Sequence, residues 1–197
     1  MSTQNQLRWS GMVSIVAGFL MLVAAALRGF DLMPLLGQWA VFAYVVLLFF
    51  TFTAVYAVQA ERMGAIGFTG FVMSIVGLGF TEVIAFLILA GFAGLPAAHD
   101  VQMFAWSEIP ILHLAVLFNT LGAILLGAGT IRARVLPRWT GVFLIVAAVT
   151  NVLHEYLMPL PALMIVPALF FAGAFIGLGW ALWSRDRARA LRPHLAS

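Results

Sequence analysis

Residues 64–92, GAIGFTGFVMSIVGLGFTEVIAFLILAGF, contain a single ionisable side chain, Glu82. A surface helix of a soluble protein keeps one face polar, and no such face exists here. At 1.5 Å per residue the stretch reaches ~43 Å, enough to cross a ~30 Å hydrocarbon layer with tilt. Cutting it at Glu82 leaves two pieces with no turn signal between them, so it reads as one long helix.

Working outward, five more apolar segments appear at 11–30, 38–60, 110–130, 140–157 and 160–183. The expected fold is all-α: one polytopic bundle of six transmembrane helices spanning residues 1–197. Composition agrees, with 64% hydrophobic and 9% charged residues, against ~25% charged in soluble domains. The first segment imitates a signal peptide, with Arg8 before it and Ala24-Ala25-Ala26 within it. It exceeds a usual h-region and runs directly into Arg28, so it reads as a retained first helix with no cleaved signal.

What the chain lacks narrows the chemistry. All ten basic residues are Arg, which rules out lysine Schiff bases. Cysteine is absent as well, removing disulfides, thiol catalysis, iron–sulfur clusters and thiolate zinc sites. The Arg residues flank apolar segments and form no basic face for nucleic acid. They point instead to the lipid bilayer as partner, with anionic lipid at the Arg-rich side.

Orientation follows from the loops. Arg8, Arg62, Arg132, Arg134, Arg138, Arg185, Arg187, Arg189 and Arg192 fall on one side of the expected bundle, and only Arg28 on the other. By the positive-inside rule the first side is cytoplasmic, and with it both termini. Trp9, Trp139, Trp180 and Trp183 then sit at the inner interface, Trp39 and Trp106 at the outer one. Small residues spaced by four, at Gly173/Gly177, Gly70/Ser74 and Ala123/Gly127, predict close helix contacts.

Arg8-Trp9-Ser10-Gly11 parallels Arg138-Trp139-Thr140-Gly141, and Ile15-Val16-Ala17 parallels Ile145-Val146-Ala147 at the same offset. Helix 3 begins more loosely with Arg62-Met63-Gly64. Three related helical hairpins, or a shared need for Arg, Trp and small residues at inward helix starts, both account for this. Either way Arg28 and Glu82 each lie twenty residues past an anchoring Arg, ~30 Å along their helices.

Polar groups therefore gather toward the outer side. Glu82, His113, Asn119, Asn151, His154 and Glu155 lie in the helices, Arg28 and Asp31 end helix 1, and the 95–109 loop adds His99, Asp100 and Glu108. Asn151, His154 and Glu155 share one broad helical face, as do His113 and Thr120. Intramembrane ionisable groups mark candidate sites. Glu82, His113 and His154 are the candidate catalytic set, and Arg28, Asn119, Asn151, Glu155, His99 and Asp100 the candidate ligand-binding set. Structural roles compete: Glu82 paired with Arg28, His113 bonded to a backbone carbonyl, and His154 and Glu155 at a wet helix end. The 95–109 loop suits a surface helix or lid, with Asp100 capping and Val101, Phe104 and Ala105 forming an apolar face; an ordinary connector fits too.

His113, His154 and a carboxylate from Glu82 or Glu155 make a two-His, one-carboxylate metal set, though without a recognised spacing. Haem b held by His113 and His154 is the other cofactor option. Glu82 suits proton exchange, and Gly77-Leu78-Gly79 beside it is a candidate unwound segment.

The run Leu125-Leu126-Gly127 through Arg132-Ala133-Arg134-Val135-Leu136-Pro137-Arg138-Trp139-Thr140-Gly141, together with the Gly64–Gly79 segment, resembles an uncharacterised bacterial family of small six-helix membrane proteins, known only as a domain of unknown function. The resemblance implies a bacterial inner-membrane location and transfers no site residue. Three functions stay open: a pocket for a small amphipathic molecule or an accessory protein; an intramembrane enzyme using Glu82, His113 and His154, with or without a metal; or a subunit of a larger transporter or redox complex, including a homo-oligomer.

Overall fold

A computed structural model describes residues 3–92, 110–157 and 160–191, and every regular element among them is helical. Helix α1 spans Thr3–Gly29, α2 Pro34–Phe92, α3 Pro110–Ala133, α4 Arg138–Tyr156 and α5 Ile165–Leu191. A 3₁₀ turn over Pro161–Met164 precedes α5. The segment expected from residue 160 therefore enters α-helix only at Ile165, because Pro161 and the extended Leu160 open it as a tighter turn. Four helices, α1, α2, α3 and α5, contain stretches long and apolar enough to cross a membrane. The 19-residue α4 is not among them; Asn151, His154 and Glu155 fall within its last turns.

Helix α2 is 59 residues long but is broken at Gly64, with φ 62° and ψ −163°. That backbone region is open essentially to glycine alone. We call residues 34–63 arm α2a and 65–92 arm α2b. Unbroken, α2 would hold Gln38 and Ala85 ~70 Å apart, yet Gln38 Nε2 donates to the Ala85 carbonyl at 3.4 Å. Tyr56 stacks on Phe71 with ring centroids 4.6 Å apart. The arms thus run side by side and antiparallel, turning at one residue. Sequence reasoning placed that turn at 61–63, which are helical.

Each helix packs on its neighbour in the chain, and the ring is closed by α1 against α5. Glycine makes several of these approaches possible. A β-carbon on Gly11 would stand 2.7 Å from the Gly179 carbonyl oxygen, and Gly127 and Gly141 face each other so that either β-carbon would meet the other's carbonyl at 2.6 Å. A β-carbon on Gly70 would run into the backbone of Leu125 and Leu126. Ser14 Oγ donates to the Phe175 carbonyl at 2.7 Å, tying α1 to α5. The Gly173/Gly177 pair works differently: it makes room for the rings of Phe143 and Trp139 and admits no second backbone.

These pairings bring the start of α1, the Gly64 turn, the α3–α4 connection and the end of α5 to one end of the bundle. Arg8, Arg62, Arg132, Arg134 and Arg138 lie there. The half nearest that end is tightly filled, with Met63, Leu126, Leu144, Leu178 and Leu182 all buried. Outward-facing Phe19, Phe50, Phe86 and Leu169 are more than half exposed, an apolar girdle around the ring. At the opposite end α1 finishes on Asp31 in the left-handed conformation, with Leu32 N–H reaching back to the Leu27 carbonyl at 3.0 Å. Asp31 thus makes a helix stop.

Candidate functional site

The half of the bundle away from the Arg-rich end is hollow. A cavity of about 830 Å³ is enclosed by all five helices, with both arms of α2 contributing. The inward stripe is periodic: Gln38, Val41, Val45, Leu48 and Phe52 on α2a, and Met21, Ala24, Ala25 and Arg28 on α1. Spacings of three and four hold one face of each helix to the interior. Phe52 of α2a and Phe175 of α5 meet across the ring at 5.6 Å, edge to face, and with Phe171 stacked on Phe175 they form the floor. Small side chains opposite them leave the volume open, notably Ala123 and Ala148.

Polar groups are set into apolar walls. Arg28, Asn119, Asn151, His113, His154 and Glu155 all line the cavity. His113 Nδ1 is 2.8 Å from the Tyr156 hydroxyl, and the two rings are stacked, joining α3 to α4 near the rim. His154 Nε2 donates to the Leu160 carbonyl at 3.2 Å, and its Nδ1 lies 4.0 Å from the Glu155 carboxylate. Asn119 Nδ2 donates to Thr81 Oγ1 at 2.8 Å, and that hydroxyl donates to the Gly77 carbonyl at 3.0 Å. Gly77 lies under Asn119, where a β-carbon would stand 2.6 Å from the Asn119 amide nitrogen. Gly77 is therefore a packing contact, and the Gly77–Gly79 segment stays in an unbroken helix with no unwinding.

Glu82 is not among the residues lining the cavity. Its two carboxylate oxygens are shielded from solvent and have no hydrogen-bond partner among the described residues. The expected Arg28–Glu82 ion pair is absent: the one ion pair among the described residues is His154–Glu155. Tyr44 lies on the cavity wall together with Arg28. Among the described residues no three His, Asp or Glu side chains come together to hold a metal. His113, His154 and Glu82 do not converge as that chemistry requires. A haem held by the two His would have to displace the Leu160 carbonyl from His154 Nε2. His99, Asp100, Glu108 and the proposed lid lie outside the described residues.

Gln38, Tyr44, Ser74 and Tyr156 also line the cavity, and sequence reasoning did not select them as site residues. The signal for Gln38 was present, as the lone polar member of an otherwise apolar helical stripe. Tyr156 had none, since a tyrosine at a helix end reads as an interface anchor. No family model, curated protein or solved structure matches the chain.

Proposed function

We propose that the chain is a multi-pass protein of a bacterial inner membrane that holds a small amphipathic molecule in a cup open toward the outer face. In this reading α2 crosses twice, turning at Gly64, so six segments cross in all and both termini are cytoplasmic. Arg8, Arg62, Arg132, Arg134 and Arg138 lie at the Arg-rich end and Arg28 toward the other, as the positive-inside rule asks. It contacts anionic lipid, and α1–α2a, α2b–α3 and α4–α5 become three hairpins of related design, as the parallel between Arg8-Trp9-Ser10-Gly11 and Arg138-Trp139-Thr140-Gly141 suggests.

The observation that carries the reading is the 830 Å³ cavity, lined by apolar side chains with a few inset polar groups. Sites for drug-sized ligands have this size and make-up. A molecule with an apolar body and a polar head matches a Phe52–Phe175 floor beneath a rim of Arg28, His113, Tyr156 and Glu155. The dispersed polar groups favour binding over a single converged catalytic constellation.

Native mass spectrometry of the full chain released from its own membranes tests this. The expected result is a co-purifying small-molecule adduct. Ala148→Phe, which fills the cavity from the α4 wall, should remove it. An adduct retained in full by a folded Ala148→Phe variant would place binding elsewhere and overturn the reading. Topology is separately checkable because the chain has no cysteine of its own: Arg134→Cys should label from the cytoplasm and Met33→Cys from outside.

A further inference from the structure

Among the described residues Arg28 is the one arginine lining the cavity, and the chain has no lysine. An arginine keeps its proton in any protein setting, so it cannot shed its charge when moved away from water as a lysine can. Its own helix gives it apolar company: Ala25, Ala24 and Met21 line the cavity three, four and seven residues before it. Helix α2a fixes its stem. A β-carbon on Gly37 would stand 2.7 Å from Arg28 Cγ and 3.3 Å from Leu27 Cβ, so glycine there lets the half-buried arginine lie against α2a.

A charge set among apolar walls is costly unless an opposite charge meets it. No carboxylate among the described residues meets Arg28, and no hydrogen bond from its guanidinium occurs among them. Glu155 lines the wall but has His154 beside it, 4.0 Å from its carboxylate. Glu82 does not line the cavity, and Asp31 is exposed past the end of α1. What the guanidinium fork matches is an oxyanion, carboxylate or phosphate, which it can hold by two parallel N–H donors. The contact with Gly37 sets Arg28 level with the first turn of α2a. The floor residue Phe52 is fifteen residues further along that helix, ~22 Å below, and the α2a wall between them is mainly apolar.

We propose that Arg28 is the head-group site of the cavity and that the bound molecule is an anionic long-chain amphiphile, its oxyanion on Arg28 and its apolar tail running down to the Phe52–Phe175 floor. The inference rests on the cavity-binding reading and adds to it the charge of the ligand, the residue that reads that charge and the way round the molecule lies. Carboxylate and phosphate heads share this chemistry, and the probes below tell them apart.

Three probes of one tail length test it: hexadecyl phosphate, palmitate and the neutral hexadecanol. Native mass spectrometry of the full chain in nanodiscs of neutral phosphatidylcholine counts the adducts. At least one of the two anions should bind about tenfold tighter than hexadecanol, and the tighter of them names the head group. Arg28→Gln should abolish that preference while still taking hexadecanol as the wild type does, which separates a lost charge contact from a lost fold. Arg28→Lys, which keeps the charge without the fork, should keep part of the preference. The wild-type comparison of anion with alcohol needs no variant, so it decides even if Arg28→Gln folds poorly. Equal binding of all three probes, or a preference for anions that survives in Arg28→Gln, overturns the inference and leaves cavity binding standing. Anion binding retained in full by folded Ala148→Phe would place the anion outside the cavity and overturn it as well. If none of the three binds, the inference falls, and the co-purifying adduct decides the cavity reading separately.

Discussion

Helix α3 touches α4 where Gly127 and Gly141 face one another, and adding one methyl group there has a calculable consequence. In Gly127→Ala the new β-carbon would stand 2.6 Å from the Gly141 carbonyl oxygen and 2.9 Å from Ile145 Cγ1. Ordinary contact begins at 3.4 Å, so the helices must part by roughly 0.8 Å. Overpacking of this kind costs ~1–3 kcal/mol. Replacing a helical glycine by alanine returns up to ~1 kcal/mol of backbone propensity. The net loss is ~1–2 kcal/mol, a fall of about 2–8 °C in melting temperature for a chain of this size. Gly141→Ala meets the Gly127 carbonyl at the same 2.6 Å and should cost about as much. Because the first methyl already separates the helices, the second has less to displace, and the double variant should lose clearly less than the sum. Gly79→Ala is the control: nothing lies within 4 Å of its β-carbon, so stability should hold or rise slightly. Thermal unfolding of the purified chain in mild detergent, followed by circular dichroism, reads all four variants. Strict additivity, or Gly127→Ala as stable as Gly79→Ala, would refute the backbone-contact account.

Three further outcomes are expected in the same unfolding assay. Gly64→Ala meets no neighbour within 4 Å but places a side chain at φ 62°, so it should lose ~1–3 kcal/mol through backbone strain alone; no loss would mean that the turn tolerates another conformation. Glu82→Met replaces a carboxylate without partners by an apolar chain of similar size and should gain ~1–3 kcal/mol, whereas a drop would reveal a partner such as Arg28. Tyr156→Phe deletes the 2.8 Å contact with His113; at a half-exposed rim the loss should be ~0.5–1 kcal/mol, and an unchanged melting point would argue that water takes the hydroxyl's place.

The helices themselves were legible, since each is announced by an apolar run between Arg, Pro or Gly. So was the gathering of Arg28, His113, Asn119, Asn151, His154 and Glu155 at one end, because depth along a helix is simple arithmetic. The Gly64 reversal was only half legible: a single residue turns the chain, and neither Glu61 nor Arg62 leaves the helix as polar loop residues usually do. The Glu82–Arg28 pairing failed because equal depth says nothing about rotation about the helix axis: Arg28 lines the cavity and Glu82 does not. The cavity could not be read at all. It exists because Phe52 and Phe175 reach across the ring while Ala123 and Ala148 do not, and that depends on how six helical segments are spaced. Ser74 entered sequence reasoning only as a small residue four positions from Gly70, a packing role that concealed its unmatched hydroxyl.

The wall joining α1 to α5 is made by the first and last helices of the chain. During synthesis that seam is the last to form. In the proposed membrane setting, until α5 emerges the nascent protein is a trough with one side missing, and the space that later becomes the cavity lies open sideways to the surrounding bilayer. Closing the Gly11–Gly179 seam must then either expel the lipid occupying that space or trap it. On the cavity-binding proposal, the first occupant of a newly made protein would therefore be selected by its neighbours in the membrane at the moment of closure, and only afterwards by exchange through the rim.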